Sequence, residues 1–148
     1  MKRLVYFAVA VFAVLFMASA CNEKDEVQHR IVGEWKYVDE ESGNELDIRV
    51  AFYMDYTFDL YQKIGEGAHR HFTGTYTVNR KHVTGMYSDG TPWASEYDVT
   101  FLNENMTMTS TSSEGYAVTY VKERIPDEVK NHSVDMTKSA AEEVVPFL

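Results

Sequence analysis

Residues 46–52 read LDIRVAF. Leu46, Ile48, Val50 and Phe52 alternate with Asp47, Arg49, Ala51 and Tyr53. A period of two sends successive side chains to opposite faces of an extended chain, so this stretch is a strand with one buried face. Met54-Asp55 is the expected turn, and Tyr56, Phe58 and Leu60 carry the apolar face onward. One unbroken strand from 46 to 62 would be longer than strands usually run.

The same rhythm extends in both directions. Glu34–Val38 reads as a strand, followed by a polar loop with Ser42-Gly43-Asn44. After a glycine-bearing loop at 64–68, His71–Val78 and His82–Ser88 read as strands joined at Asn79-Arg80-Lys81. Asp89-Gly90 is a hairpin signal, because both positions tolerate positive φ. Trp93, Ser95, Tyr97, Val99 and Phe101 alternate with polar and small residues, and Asn103-Glu104-Asn105 turns into Met106–Ser112. Glu114-Gly115 then leads to Tyr116–Glu123. Short strands with turn residues every 8–12 positions define an all-β domain. The links are too short for helical crossovers, so the strands are antiparallel neighbours in an eight-stranded meander. Closing the meander into an up-and-down β-barrel hides both edges, and a sandwich is the competing arrangement. Beyond Ile125-Pro126 the pattern stops. Asp127–His132 can form a short helix, and the apolar ending Val144–Leu148 is expected to pack back on the domain.

Gly33-Glu34-Trp35 opens the first strand, Arg124 closes the last, and Ser95-Glu96-Tyr97 lies between. This resembles the lipocalin-like (calycin) pattern, in which a G-x-W on the first strand meets a basic residue on the last. The rhythm of residues 31–125 is similar to lipocalin-like domains of short bacterial lipoproteins. The resemblance implies that Gly33, Trp35 and Arg124 close the barrel floor, with the guanidinium lying flat on the indole. It is a structural role rather than ligand contact. Lipocalins proper have longer strands and loops, so the cavity is expected to be shallow or absent.

The N-terminus speaks to location. Met1-Lys2-Arg3 precedes an apolar run, Leu4–Ala18, and then Ala18-Ser19-Ala20-Cys21. Basic start, apolar core and small residues are the layout of a secretory signal. The run is short for a bilayer span of about 20 apolar residues, which leaves an uncleaved anchor helix as the lesser reading. Ala18–Cys21 resembles a bacterial lipobox, although lipoboxes usually carry Leu at the position of Ala18. That resemblance implies cleavage after residue 20 and acylation of Cys21, by palmitate or similar chains. The sole cysteine cannot form an intramolecular disulfide. Residues 1–20 are thus read as signal peptide, 21–30 as lipidated Cys and polar tether, 31–125 as barrel and 126–148 as C-terminal tail. Lys24-Asp25-Glu26 is either a solvated linker or, by resemblance, an export signal of surface-exposed lipoproteins. The expected location is the cell envelope, at the outer membrane.

The formal net charge is −9, and losing Lys2 and Arg3 with the signal makes it two units more negative. An acidic chain lacks the clustered Lys and Arg that nucleic acid requires. Attachment to anionic lipid must likewise come from the Cys21 acyl chains.

The chain has ten Tyr, eight Phe and two Trp, and these rings are the best functional lead. Tyr76, Tyr97 and Tyr120 share faces with apolar residues and Trp93 lies at a strand mouth. Rings with one polar atom suit a mostly apolar pocket, but small barrels are often packed solid, and then the rings are core. His69 and His71 share a strand face, yet a metal needs a third ligand. His82, placed opposite Thr77, would lie roughly 20 Å from His71 at the usual strand rise. Asp89 could face His71 instead, but solvent-facing histidines are the simpler reading, and no metal or other cofactor is expected. Asp47, Asp55, Asp59 and Asp98 sit in turns or on polar faces, where carboxylates are solvated. Nucleophile motifs and phosphate-binding glycine loops are absent from the sequence. The sequence therefore points to a monomeric, non-enzymatic, lipid-anchored barrel that binds a small, mainly apolar molecule. The alternative is an accessory lipoprotein with a solid barrel that binds another envelope protein or a glycan. An enzyme using the cavity is the third choice.

Overall fold

The computed structural model describes residues 22–38, 45–136 and 145–148. Helix α1 (Asn22–Ile31) leads into β1 (Gly33–Tyr37), β2 (Leu46–Phe52), β3 (Thr57–Ile64) and β4 (Arg70–Asn79). Then come β5 (His82–Tyr87), β6 (Tyr97–Leu102), β7 (Asn105–Ser110), β8 (Ala117–Lys122), α2 (Asp127–His132) and β9 (Val134–Asp135). Strands β1 to β8 pair antiparallel with their sequence neighbours, and β8 returns to β1. The result is the closed up-and-down β-barrel of a lipocalin-like fold. The short β9 runs parallel to β4 at Arg70 and His71, where β4 outruns β5.

Local chemistry explains the turns. The β2–β3 turn has no glycine. Instead the Asp55 carboxylate accepts hydrogen bonds from the Thr57 amide at 3.1 Å and its hydroxyl at 2.6 Å. An Asx turn of this kind replaces the missing flexibility, and Tyr56 takes φ 65°. Arg80 and Asn103 hold positive φ in the next tight hairpins. The β4–β5 hairpin pairs Asn79 with His82, and Thr77 faces Thr84 rather than His82. The two-residue turn at Arg80-Lys81 thus carries His82 farther from His71 than the sequence register suggests.

Alternation sorts the faces. Ile48, Val50 and Phe52 point inward from β2, Phe58, Leu60 and Gln62 from β3, and Met106 and Met108 from β7, all nearly or fully buried. The stretch read as a polar tether is helical from Asn22, and the helix ends one residue beyond it at Ile31, which is fully buried in the core. A smaller apolar cluster lies outside the wall, where Ile125 and Val129 cover Ala51 and Tyr61. Two bonds to the Glu34 carboxylate, from the Ile125 amide and Lys130 Nζ, fasten this segment.

The strand expected from Trp93 begins only at Tyr97. Strands β5 and β6 pair through two residue pairs alone, His82 with Asp98 and Val83 with Tyr97. Above them the chain after β5 folds back along it, through a bond from the Tyr87 amide to the Thr91 carbonyl at 2.8 Å, a Met86–Pro92 bridge and a bond from the Trp93 amide to the Gly85 carbonyl at 3.0 Å.

Candidate functional site: the aromatic barrel interior

At the floor, α1 closes the end where β1 begins. Trp35 is 2 % exposed, and its indole N–H donates to the Ile31 carbonyl at 2.8 Å. That bond satisfies a carbonyl at the helix end. Gly33, at φ 137°, is the glycine the motif requires, since residues with a Cβ rarely adopt that backbone conformation. The cation over Trp35 is Lys122, whose Nζ lies 5.4 Å from a ring centroid. Arg124 does not close the floor. Strand β8 ends at Lys122, the direct cross-strand partner of Trp35, and Arg124 turns to solvent to pair with Asp127 at 3.0 Å. A second cation, Arg30 of α1, lies 4.6 Å over the Phe101 ring.

The four ring residues proposed from the sequence all face the interior. Tyr76 donates its hydroxyl to the Tyr53 carbonyl at 2.7 Å and packs edge-on against Phe52, so its polar end is already spent. Trp93, on the segment that folds back along β5, points inward and meets Phe52, Phe58 and Tyr97. It lies against the bare backbone of Gly85, where a Cβ would come within 2.1 Å of the indole. Tyr97 and Tyr120 lie toward the opposite end, the mouth, with Tyr37 and Tyr87. The Tyr37 and Tyr120 rings meet edge-on at 5.9 Å.

Among the described residues two interior donors have no hydrogen-bond partner, Trp93 Nε1 and the Tyr120 hydroxyl. Trp93 is 5 % exposed and Tyr120 fully buried. Burial, with the phenols of Tyr97, Tyr116, Tyr37 and Tyr87 around it, pushes Tyr120 well above the ordinary tyrosine range. Burial likewise pushes Tyr97 up to about 12. These phenols are therefore neutral at physiological pH, able to donate to an acceptor and unable to serve as bases. Leaving a buried donor unpaired costs about 1–3 kcal/mol, and a buried water or a ligand acceptor normally removes that cost.

The outer wall carries polar pairs that alternation alone does not reveal. The Asp47 carboxylate bonds His69 at 2.9 Å and Arg49 at 3.0 Å, and Arg49 also reaches Glu123 at 3.0 Å. Asp59 bonds His71 at 2.8 Å and accepts the Tyr53 hydroxyl at 2.7 Å, while His71 stacks flat on Tyr61. Burial disfavours ionisation of both acids. The histidine and Arg49 contacts of Asp47, and the His71 and Tyr53 contacts of Asp59, outweigh it, so both carboxyls titrate below their usual range. The two histidines thus face separate carboxylates. Among the described residues no group of three or more His, Cys, Asp or Glu converges as a metal site.

Cys21 and the rest of residues 1–21 lie outside the described residues. Among the described residues no helix is long and apolar enough to cross a membrane. Comparisons with protein-family models, with curated proteins and with solved structures returned no match to this chain. The class is therefore set by the architecture itself: an all-β, eight-stranded lipocalin-like barrel with a buried aromatic interior.

Proposed function

We propose that this protein is a lipid-anchored envelope barrel that binds a small, mainly apolar molecule bearing a hydrogen-bond acceptor. The observation that carries the reading is the pair of unpartnered interior donors, Trp93 Nε1 and the Tyr120 hydroxyl, within an aromatic lining. Apolar walls with a few placed polar groups are the usual composition of a small-molecule site. Trp93, Tyr97 and Tyr120 contact the ligand in this reading, and Tyr76 serves as wall. The chain acts without catalysis, as a monomer. The Cys21 acyl chains hold it at the outer membrane, facing either side. The motivation for the anchor is Ala18-Ser19-Ala20-Cys21 behind an apolar run.

A second reading has its own support. Phe52 and Tyr76 lie 5.0 Å apart, Phe58 and Trp93 5.3 Å, so the rings already touch one another as in a solid core. On that reading the protein is an accessory lipoprotein that binds a protein or glycan through its surface. Native mass spectrometry of the protein lacking residues 1–20 separates them. A carried molecule released by organic extraction is expected. A clean apo mass, with no saturable binding of apolar fluorescent probes, would transfer the assignment to the surface-binding reading.

A further inference from the structure

The mouth of the barrel, opposite α1, is occupied by the chain's own residues Val145–Leu148. Leu148 is 1 % exposed within the main core cluster, and the Phe147 ring lies 5.0 Å from that of Tyr37. The main chain of this segment is held largely by side chains. Gln62, itself 1 % exposed, donates from Nε2 to the Val145 carbonyl at 2.9 Å and accepts the Phe147 amide on Oε1 at 2.8 Å. The Leu148 carbonyl accepts from the Tyr87 hydroxyl at 2.8 Å and from the Ala94 amide at 3.2 Å.

This is the chemistry of peptide capture. In an extended chain the carbonyl of one residue and the amide of the next but one lie on the same edge, and a neighbouring strand normally pairs with both. Here one buried carboxamide takes the place of that strand. The contacts to Val145 and to the Leu148 carbonyl use only main-chain atoms, so any extended peptide can make them. Selectivity then rests on the Leu148 slot and on the aromatic contact of Phe147.

We infer that the barrel mouth is a binding site for a short, extended, apolar peptide segment, filled in cis by Val145–Leu148. A tethered segment acts at a high effective concentration, so it excludes a peptide of ordinary affinity from solution. A peptide from another protein binds once the cis segment leaves. This inference goes beyond the small-molecule reading and does not depend on it, because the Gln62 clamp holds main chain whether or not the interior donors hold a ligand.

The test keeps the whole chain through folding. A protease site placed within residues 137–144 is cut after purification, and acetyl-Val-Pro-Phe-Leu-amide carrying a fluorophore is added. The expected result is a protein with unchanged far-ultraviolet circular dichroism that binds the peptide saturably. N-methylation at the Phe position, which removes the amide donated to Gln62, should weaken binding about tenfold, the size expected for one lost hydrogen bond. Gln62→Ala should weaken it similarly. In the uncut chain, Gln62→Ala should speed hydrogen exchange at the Phe147 amide. A cut protein that unfolds overturns the proposal, because the segment is then part of the fold. So does a folded cut protein that takes up no peptide at millimolar concentration, or uptake indifferent to both N-methylation and Gln62→Ala. Apolar probe binding to uncut protein is a separate readout, so each reading can fail without the other.

Discussion

Gly85→Ala should be among the most damaging small changes in the barrel, for a reason that is purely steric. Gly85 lies on β5 facing inward, and its φ is not in the left-handed region, so alanine suits its backbone. An ideal Cβ there would stand 2.1, 2.4 and 2.5 Å from Cε2, Cζ2 and Cδ2 of Trp93. Carbon atoms prefer about 3.5–4.0 Å, so the indole must retreat by about 1.5 Å. Phe52, Phe58 and Tyr97 hem it in on the other sides. Overpacking of this kind costs about 1–3 kcal/mol, and the confinement argues for the upper end. Replacing glycine restricts the unfolded chain and returns about 0.4–1 kcal/mol. The net loss should be about 2 kcal/mol in urea melts. The decisive arm is a double-mutant cycle. In a Trp93→Ala background the added methyl meets open space, so Gly85→Ala should cost under about 0.5 kcal/mol, giving a coupling of about 2 kcal/mol. Equal losses in both backgrounds would show that Trp93 does not lie on Gly85, and the packing of the returning segment against β5 would be wrong.

Other expectations follow from single contacts. Trp35→Ala should destabilise by about 3–5 kcal/mol, while Arg124→Ala, at an exposed pair, should change stability by under about 0.5 kcal/mol; equal losses would restore Arg124 as a floor residue. Asp47 and Asp59 have folded-state pKa values below their unfolded ones, so their contribution is complete above about pH 4 and is lost as pH falls through the folded values. Asp47→Asn with Asp59→Asn should therefore flatten the acid limb of the stability curve, and superimposable limbs would refute the assignment. Cys21→Ser should leave an uncleaved precursor without acyl label; normal maturation of that variant would end the lipoprotein proposal.

Much of the barrel was legible because its code is local. The alternation in 46–52 sets the inward face of β2, and turn residues such as Asn103 mark the hairpin ends. Asp127–His132 likewise forms the short helix its position after Pro126 suggests. What escaped depends on pairs distant in sequence. Arg124 and Lys122 are both basic and in the same phase of the strand, and only the point where β8 ends decides which one lies over Trp35. Trp93 carries the same alternation as Tyr97, yet it lies outside β6, because the chain folds back along β5 before β6 begins. Polar α1 hides a buried terminus, since only Ile31 and its neighbours reach the core. The clamp of Gln62 on residues 145 and 147 joins positions more than 80 apart. The two unpartnered donors have no sequence signature, because being unpaired is a property of the surroundings.

The central claim, that the interior donors await a ligand's acceptor, has a direct test with a built-in control. The chain has two tryptophans, so proton–nitrogen correlation spectra of the folded protein contain two indole N–H signals. Trp35 Nε1 is already bonded to the Ile31 carbonyl, whereas Trp93 Nε1 has no partner among the described residues. Titration with apolar molecules carrying a carbonyl or carboxylate should move the Trp93 signal downfield and saturably while the Trp35 signal stays in place. If neither signal moves, or both move together as the protein loosens, the barrel is a solid core and the ligand-binding account is wrong.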